Sequence, residues 1–160
     1  MAVMKRALVT GGAGFMGSHL CEELLFERGM SVAVIDDLST SSRSNLVFVE
    51  DQKNFKFYKG SVLDKKLVER LVKDCDIVYH LAAAVGVKYI IEHPLSSMLT
   101  NIEGSQNIFY FASKYRKKVV FASTSEIYGK HSCSASDEED DRILGSTSKK
   151  QVELFRVKGC

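Results

Sequence analysis

The chain has 160 residues, 45% of them hydrophobic, and a formal net charge of +2. Such a chain suits one globular domain with a real core and leaves little room for a second. No basic stripe interleaved with aromatics is present, which argues against nucleic acid as a partner, and the apolar runs are too short to span a bilayer.

The first predicted strand is Arg6 to Thr10, preceded only by residues 1–5, so no leader is expected and the chain reads as cytoplasmic. That strand runs into four glycines. Gly12, Gly14 and Gly17 satisfy G-x-G-x-x-G, while Gly11, Gly14 and Gly17 satisfy the spacing G-x-x-G-x-x-G. Either spacing serves the same physics: a sharp turn, backbone approach to a pyrophosphate, and close packing of the following helix. That helix is predicted over residues 14–28 with Gly29 as its C-terminal glycine, and its free N–H groups would form an anion site.

A β-branched run, Val32 to Ile35, reads as a buried parallel strand that closes on Asp36 and Asp37. A carboxylate there can accept both hydroxyls of an adenosine ribose and would repel the extra phosphate of NADP, which points to NAD. Turn chemistry is the plainer reading of Asp36. Arg43 is the residue that speaks for a 2′-phosphate. Residues 38–51 are polar and without period, a loop with one helical turn.

Phe55, Phe57 and Tyr58 make a third strand stopping at Gly60. Leu63, Leu67, Val68, Leu71 and Val72 form a helical stripe, which is core packing. The fourth strand, residues 76–80, ends in His80, read as a packed histidine rather than a catalytic one. Leu81 and the small Ala82, Ala83 and Ala84 follow, and they leave space for a flat cofactor or another backbone. Pro94, the one proline, suits the first turn of a long helix, which is expected to turn Leu95, Leu99, Ile102, Phe109 and Ala112 inward. The fifth strand, residues 119–122, delivers Ser123, Thr124, Ser125 and Glu126 to the edge of the sheet where ligands sit.

From Lys130 the chain becomes small and polar, with five consecutive acids at 137–141, and reads as a mobile tail. Two units follow: a dinucleotide-binding domain over residues 1–129 and a tail over 130–160. The four cysteines, Cys21, Cys75, Cys133 and Cys160, are scattered, with no C-x-x-C pair and no histidine at ligand spacing, so no metal is expected. Alternating strands and helices imply a doubly wound parallel α/β sheet of about five strands in the order 3-2-1-4-5.

Several motifs together resemble the extended short-chain dehydrogenases, in particular the NAD-dependent nucleoside-diphosphate-sugar epimerases, dehydratases and decarboxylases typified by UDP-glucose 4-epimerase. TGGAGFMGSHL at 10–20, IDDLST at 35–40, GSVLD at 60–64, HLAA at 80–83, Asn101, and FASTSEIYG at 121–129 carry the resemblance. It implies a cofactor site built from Gly11, Gly14, Phe15, Met16, Gly17, Asp36, Asp37, Ser61, Val62, Leu81, Ala82, Ala83 and Asn101, with Ser61 standing where aspartate is commoner. It further implies a nucleotide-sugar substrate, dimer formation through helices of this half, and a C-terminal substrate domain that this chain lacks.

In the reaction the resemblance implies, a tyrosine of Tyr-x-x-x-Lys takes the hydroxyl proton while the sugar C–H passes a hydride to nicotinamide; the lysine cation favours the ionised phenol. Thr124 would hydrogen-bond the reacting oxygen, with Ser125 and Glu126 beside it; strand-end turn chemistry is the plainer reading of Thr124 and Ser125. No tyrosine follows Tyr128. One alignment makes Lys149 the lysine and puts Gly145 at the tyrosine; another places residues 140–149 ahead of the motif. Both leave the chain without its base, so inactivity of this chain alone is expected. A non-catalytic NAD-sensing or docking module is the alternative of another class.

Overall fold

The computed structural model describes residues 5–84, 87–124 and 127. Leu8, Val9, Val32, Val34 and Ile35 are almost wholly buried, which is what strands covered on both faces require, and they lie in the two central strands. The strands are β1 (Arg6–Thr10), β2 (Ser31–Asp36), β3 (Phe55–Lys59), β4 (Ile77–His80) and β5 (Lys118–Phe121). All pair in parallel in the order β3-β2-β1-β4-β5, as the alternation of elements predicts.

The helices are α1 (Phe15–Glu22), α2 (Lys65–Asp74), α3 (Val87–Glu92) and α4 (Pro94–Lys114). The first helix is shorter than its expected span, because α1 passes into a π turn at Glu23–Glu27 that buries Leu24 and Leu25 together and leaves Phe26 exposed. Gly29 then closes the turn in the left-handed region, at φ +59°. Asp64 caps α2, its carboxylate accepting from the N–H groups of Lys66 and Leu67 at 3.0 and 3.1 Å. The loop after β2 contains a 3₁₀ turn at Arg43–Leu46, and the short α3 is an addition to the predicted elements.

Two cores result. On one side α1 and the 3₁₀ turn cover Val9, Val32 and Val34 with Leu24, Leu25, Leu46 and Val49. On the other, α2 and α4 cover Leu8, Ile35 and Val78 with Val68, Val72, Ile108 and Phe111. Lys114 Nζ and Tyr115 OH both donate to Glu69 Oε1 at 2.7 Å and join α4 to α2 at the surface. The Lys114 bond, with that of Tyr115, holds the Glu69 carboxyl below the usual carboxylate range.

The inward face of α4 is a correction to the sequence reading. Ala112 is buried as expected, but Leu95, Leu99, Ile102 and Phe109 are exposed. The residues turned inward are Ser97, Gly104, Asn107, Ile108, Phe111 and Ala112. The physical reason is that α4 meets the loops after β3 and β4, where Asn107 bonds the Val62 carbonyl, Asn101 bonds both backbone groups of Ala84, and Gly104 makes room for the Val62 side chain.

Cys21 lies on α1 and Cys75 just ahead of β4, both buried. Burial, helped by Glu22, pushes the Cys21 thiol up to about 12, and burial pushes that of Cys75 up to about 11. Neutral thiols of this kind are inert. Because both folded values lie above the free thiol's, their contribution to stability is complete below the ordinary thiol range and declines as the pH rises through it toward the folded values. Among the described residues no helix is long and apolar enough to cross a membrane.

The corrected face of α4 has a direct test. Ile108→Ala should lower the free energy of unfolding by about 3 kcal/mol, and Leu95→Ala by less than about 0.5 kcal/mol, both read from urea denaturation.

Candidate functional site

The carboxyl ends of the strands converge on a cavity of about 400 Å³. Its walls come from the glycine turn and the start of α1 (Gly11, Gly14, Phe15, Met16, Gly17), the loop after β2 (Asp36, Asp37, Ser39, Thr40, Ser41), and the junction after β3 (Gly60, Ser61, Val62). Residues 81–84, Thr100 from α4, and Ala122 and Ser123 after β5 complete it. Ligands of open parallel sheets bind at this edge.

The turn after β1 is decided by backbone space. Gly11 sits at φ +72°, and a Cβ there would lie 2.8 Å from the Ala82 nitrogen. At Gly17 a Cβ would lie 2.3 Å from the Gly11 carbonyl oxygen, so α1 packs against the turn only because Gly17 has no side chain. Of the two possible spacings, it is Gly11, Gly14 and Gly17 that line the cavity; Gly12 faces Val34 on the core side. Gly14 is the N-cap of α1, without a side-chain cap and with no acidic residue in the first turn, and the first helical bond is Ser18 N–H to Gly14 C=O at 2.9 Å. The preceding N–H groups therefore have no partner within the helix, and the positive end of its dipole is directed to the cavity. Phe15 and Met16, 78% and 71% exposed, form the rim.

Asp36 is buried and fully engaged. Its Oδ2 accepts from Ala13 N–H at 2.9 Å, and its Oδ1 accepts from Leu38 N–H at 2.9 Å and from the Ser41 hydroxyl at 2.8 Å. Asp37 is exposed and accepts from Ser39 N–H at 2.9 Å. Leu38, between them, takes the left-handed conformation at φ 62°. Arg43 does not line the cavity: its guanidinium is bonded to Glu50 and lies 5.2 Å above the Phe57 ring.

The far wall is held from behind. Thr10 Oγ1 accepts from Ala82 N–H at 3.1 Å and is bonded to His80 Nδ1 at 2.7 Å, while His80 Nε2 is bonded to Ser105 on α4 at 3.0 Å. His80 is 1% exposed and stacks on Phe121, so it is a packed histidine, as the sequence reading has it. Asn101 lies behind this wall: its Oδ1 accepts from Ala84 N–H at 2.7 Å and its Nδ2 donates to Ala84 C=O at 3.2 Å. Asn107 Nδ2 donates to Val62 C=O at 3.0 Å, and Gly104 lets α4 meet Val62, whose Cγ2 would be 2.5 Å from a Cβ there.

Thr124 follows directly on the cavity residue Ser123, and its carbonyl accepts from Ile127 N–H at 3.2 Å. Ser125, Glu126 and Tyr128 lie outside the described residues, as do the tail at 130–160 and the alternative positions Gly145 and Lys149. Sequence reasoning missed Ser41, Asn45, Ser105 and Asn107. None has a period or motif of its own, since each acts by a single bond to backbone or to another polar side chain.

Comparison with known proteins agrees with this architecture. The family model described as GDP-mannose 4,6 dehydratase matches residues 8–144. The chain belongs to the extended short-chain dehydrogenase family of nucleotide-sugar epimerases and dehydratases. It is 46% identical over 145 residues to UDP-N-acetyl-alpha-D-glucosaminuronate decarboxylase of Bacillus cytotoxicus, covering 91% of this chain and 44% of that protein. Among solved structures, the dTDP-glucose 4,6-dehydratase DesIV of Streptomyces venezuelae, with NAD and TYD bound, superposes with a TM-score of 0.84 at 30% identity, covering 96% of this chain and 48% of that one. UDP-N-acetylglucosamine 4-epimerase of Methanobrevibacter ruminantium gives 0.82 at 30% identity, with 96% and 47% covered. The chain thus spans about half the length of the relatives it matches.

The packing of α1 on the glycine turn is testable. Gly17→Ala should cost about 2 kcal/mol of stability in a urea melt, since the new methyl meets backbone rather than a yielding side chain.

Proposed function

We propose that this chain is the NAD-binding domain of a nucleotide-sugar-modifying enzyme. The observation that supports this is the cavity itself: side chains are excluded at Gly11 and Gly17, free helical N–H groups face one part of it, and a buried carboxylate stands at the end of β2. On this reading Gly11, Gly14, Phe15, Met16 and Gly17 hold the pyrophosphate, Asp36 and Asp37 the adenosine ribose, and Ser61 and Val62 the adenine. Leu81, Ala82 and Ala83, backed by Asn101, give room beneath the nicotinamide half. The position of Arg43, against Glu50 and Phe57, supports NAD over NADP.

Bound NAD supplies a hydride acceptor for oxidation of a sugar carbon. The residues of this chain bind and orient: Thr124 would hydrogen-bond the reacting oxygen, with Ser125 and Glu126 beside it. The sequence reading puts a UDP-glucose 4-epimerase-like reaction first. The 46% identity to a uronate decarboxylase favours decarboxylation as the second reading. On this proposal the NAD-binding domain occupies residues 1–129, followed by a tail over residues 130–160, of which the family model matches the part up to residue 144. On this reading the residues of this chain bind NAD, and the tyrosine of Tyr-x-x-x-Lys is not among those that follow Tyr128. The exposed apolar residues of α4, among them Leu95, Met98, Leu99 and Ile102, support a homodimer as part of the same reading.

Titration calorimetry with NAD should show binding. A hundredfold excess over Kd should raise Tm by about 5–10 °C, while UDP-sugars with NAD give no product. A cooperatively folded chain that ignores NAD would sink the proposal. Asp36→Ala should weaken NAD by about tenfold and narrow its advantage over NADP, because both the ribose acceptor and the charge are lost; an unchanged preference would count against the ribose role.

A further inference from the structure

The glycine turn is fixed by two side chains that lie well beyond it in the chain. Ala13 is wholly buried, and both its backbone polar groups are taken: its N–H donates to Asp36 Oδ2 at 2.9 Å, and its C=O accepts from Asn45 Nδ2 at 2.8 Å. These groups belong to two successive peptide planes, 12–13 and 13–14, so the pair of bonds sets the plane on each side of the Ala13 Cα. The second plane carries Gly14 N–H, which donates to Gly11 C=O at 3.1 Å, and leads into the N-cap of α1.

Asn45 is itself well placed to bear this load. It sits in the 3₁₀ turn Arg43–Leu46, entered through Ser42, whose hydroxyl accepts from Ser44 N–H at 3.3 Å. The next residue, Leu46, is 1% exposed and packs in the same core cluster as Ala13. Arg43, bonded to Glu50 and set over Phe57, braces the turn from the outside. The intervening loop is closed by Ser41 on Asp36. A continuous circuit results: glycine turn, Asp36, loop 37–41, 3₁₀ turn, and back to the glycine turn through Asn45.

We propose that Asn45 is a positioning residue for the pyrophosphate-facing turn, which it ties to the 3₁₀ turn as Asp36 ties it to the loop facing the adenosine ribose. This rests on the NAD-binding reading above. Asn45 touches neither the cavity nor the core: it does not line the former, and it is exposed, with only its amide directed inward. Removing the amide therefore frees the Ala13 carbonyl without opening a void. The orientation of Gly14 and of the first free N–H groups of α1 then loosens, while the adenine and ribose walls keep their own supports in Asn107 and Ser41.

The test is a ligand series on the whole chain: NAD, ADP and adenosine titrated against wild type, Asn45→Ala and Asn45→Asp. The aspartate has the shape of asparagine but no donor. NAD and ADP should each weaken by about fivefold to tenfold in both variants, the worth of one hydrogen bond to a buried carbonyl, and adenosine should bind as to wild type. Unchanged NAD affinity overturns the proposal, and so does an equal loss for adenosine, which would place the effect on the ribose side or on general stability. Hydrogen exchange of the ligand-free chain separates this from the NAD-binding reading. Faster exchange of the Ala13 and Gly14 amides in Asn45→Ala, with strand amides unchanged, supports the tether even if wild type binds no NAD; unchanged exchange overturns it.

Discussion

The architecture depends on one contact that contains no side chain: the seating of Gly17 of α1 on the carbonyl of Gly11. A Cβ at Gly17 would lie 2.3 Å from that oxygen, closer than any real Cβ contact. The approach lets α1 start directly over the end of β1, with its unpaired N–H groups at the sheet edge. On its other side the turn is equally without room, since a Cβ on Gly11 would lie 2.8 Å from the Ala82 nitrogen. An anion site made in this way uses geometry and backbone dipoles in place of lysine or arginine. This fits a cavity whose described lining includes no basic side chain.

A turn held by absent side chains has no packing of its own to keep it in place, and the structure compensates with polar bonds from elsewhere. Asp36 and Asn45 hold Ala13, Thr10 holds Ala82, Asn101 holds Ala84, and Asn107 holds Val62. Each of these bonds satisfies a backbone group beyond the end of a strand ladder, where the sheet no longer does so. The site is thus a set of loops whose backbone partners are side chains. Binding then needs little reorganisation, which is the condition under which contacts translate into affinity.

This division explains what could be read from residue order. The strands were legible because Val32 to Ile35 and Leu8 to Val9 are apolar without interruption, as burial on both faces demands, and the glycine turn because steric need admits a single residue type. The face of α4 was not. Its leucines and Ile102 have helical spacing, yet the inward side carries Ser97, Gly104 and Asn107, with Ser105 bonded to His80. Hydrophobic periodicity ranks such residues as solvent-facing, because it does not register that a carbonyl or a valine methyl awaits them. Asn45 was hidden for the same reason, in a stretch with no period at all. Asp36 was found from its place at the end of a strand, but its partners Ala13 and Ser41 come from the fold.

The two halves of the cavity are unequally supported, and that asymmetry bears on chemistry. The glycine turn and the loop after β2 rest on β1 and β2, each with a neighbour on both sides and almost wholly buried. Ser123 and Thr124 instead extend from β5, which among the described strands pairs only with β4 and has Val120 and Phe121 more than 40% exposed. On the proposed function, binding of a dinucleotide would draw chiefly on the first half. Oxidation of a sugar would require the second, where a proton acceptor and the reacting oxygen must be held to within a fraction of an ångström to gain from proximity. An edge strand with one ladder of hydrogen bonds is a weaker platform for that task than the central strands are for binding. On the proposed function, support for the cofactor and support for the chemistry thus rest on different strands of one sheet, β1 and β2 for the first and β5 for the second.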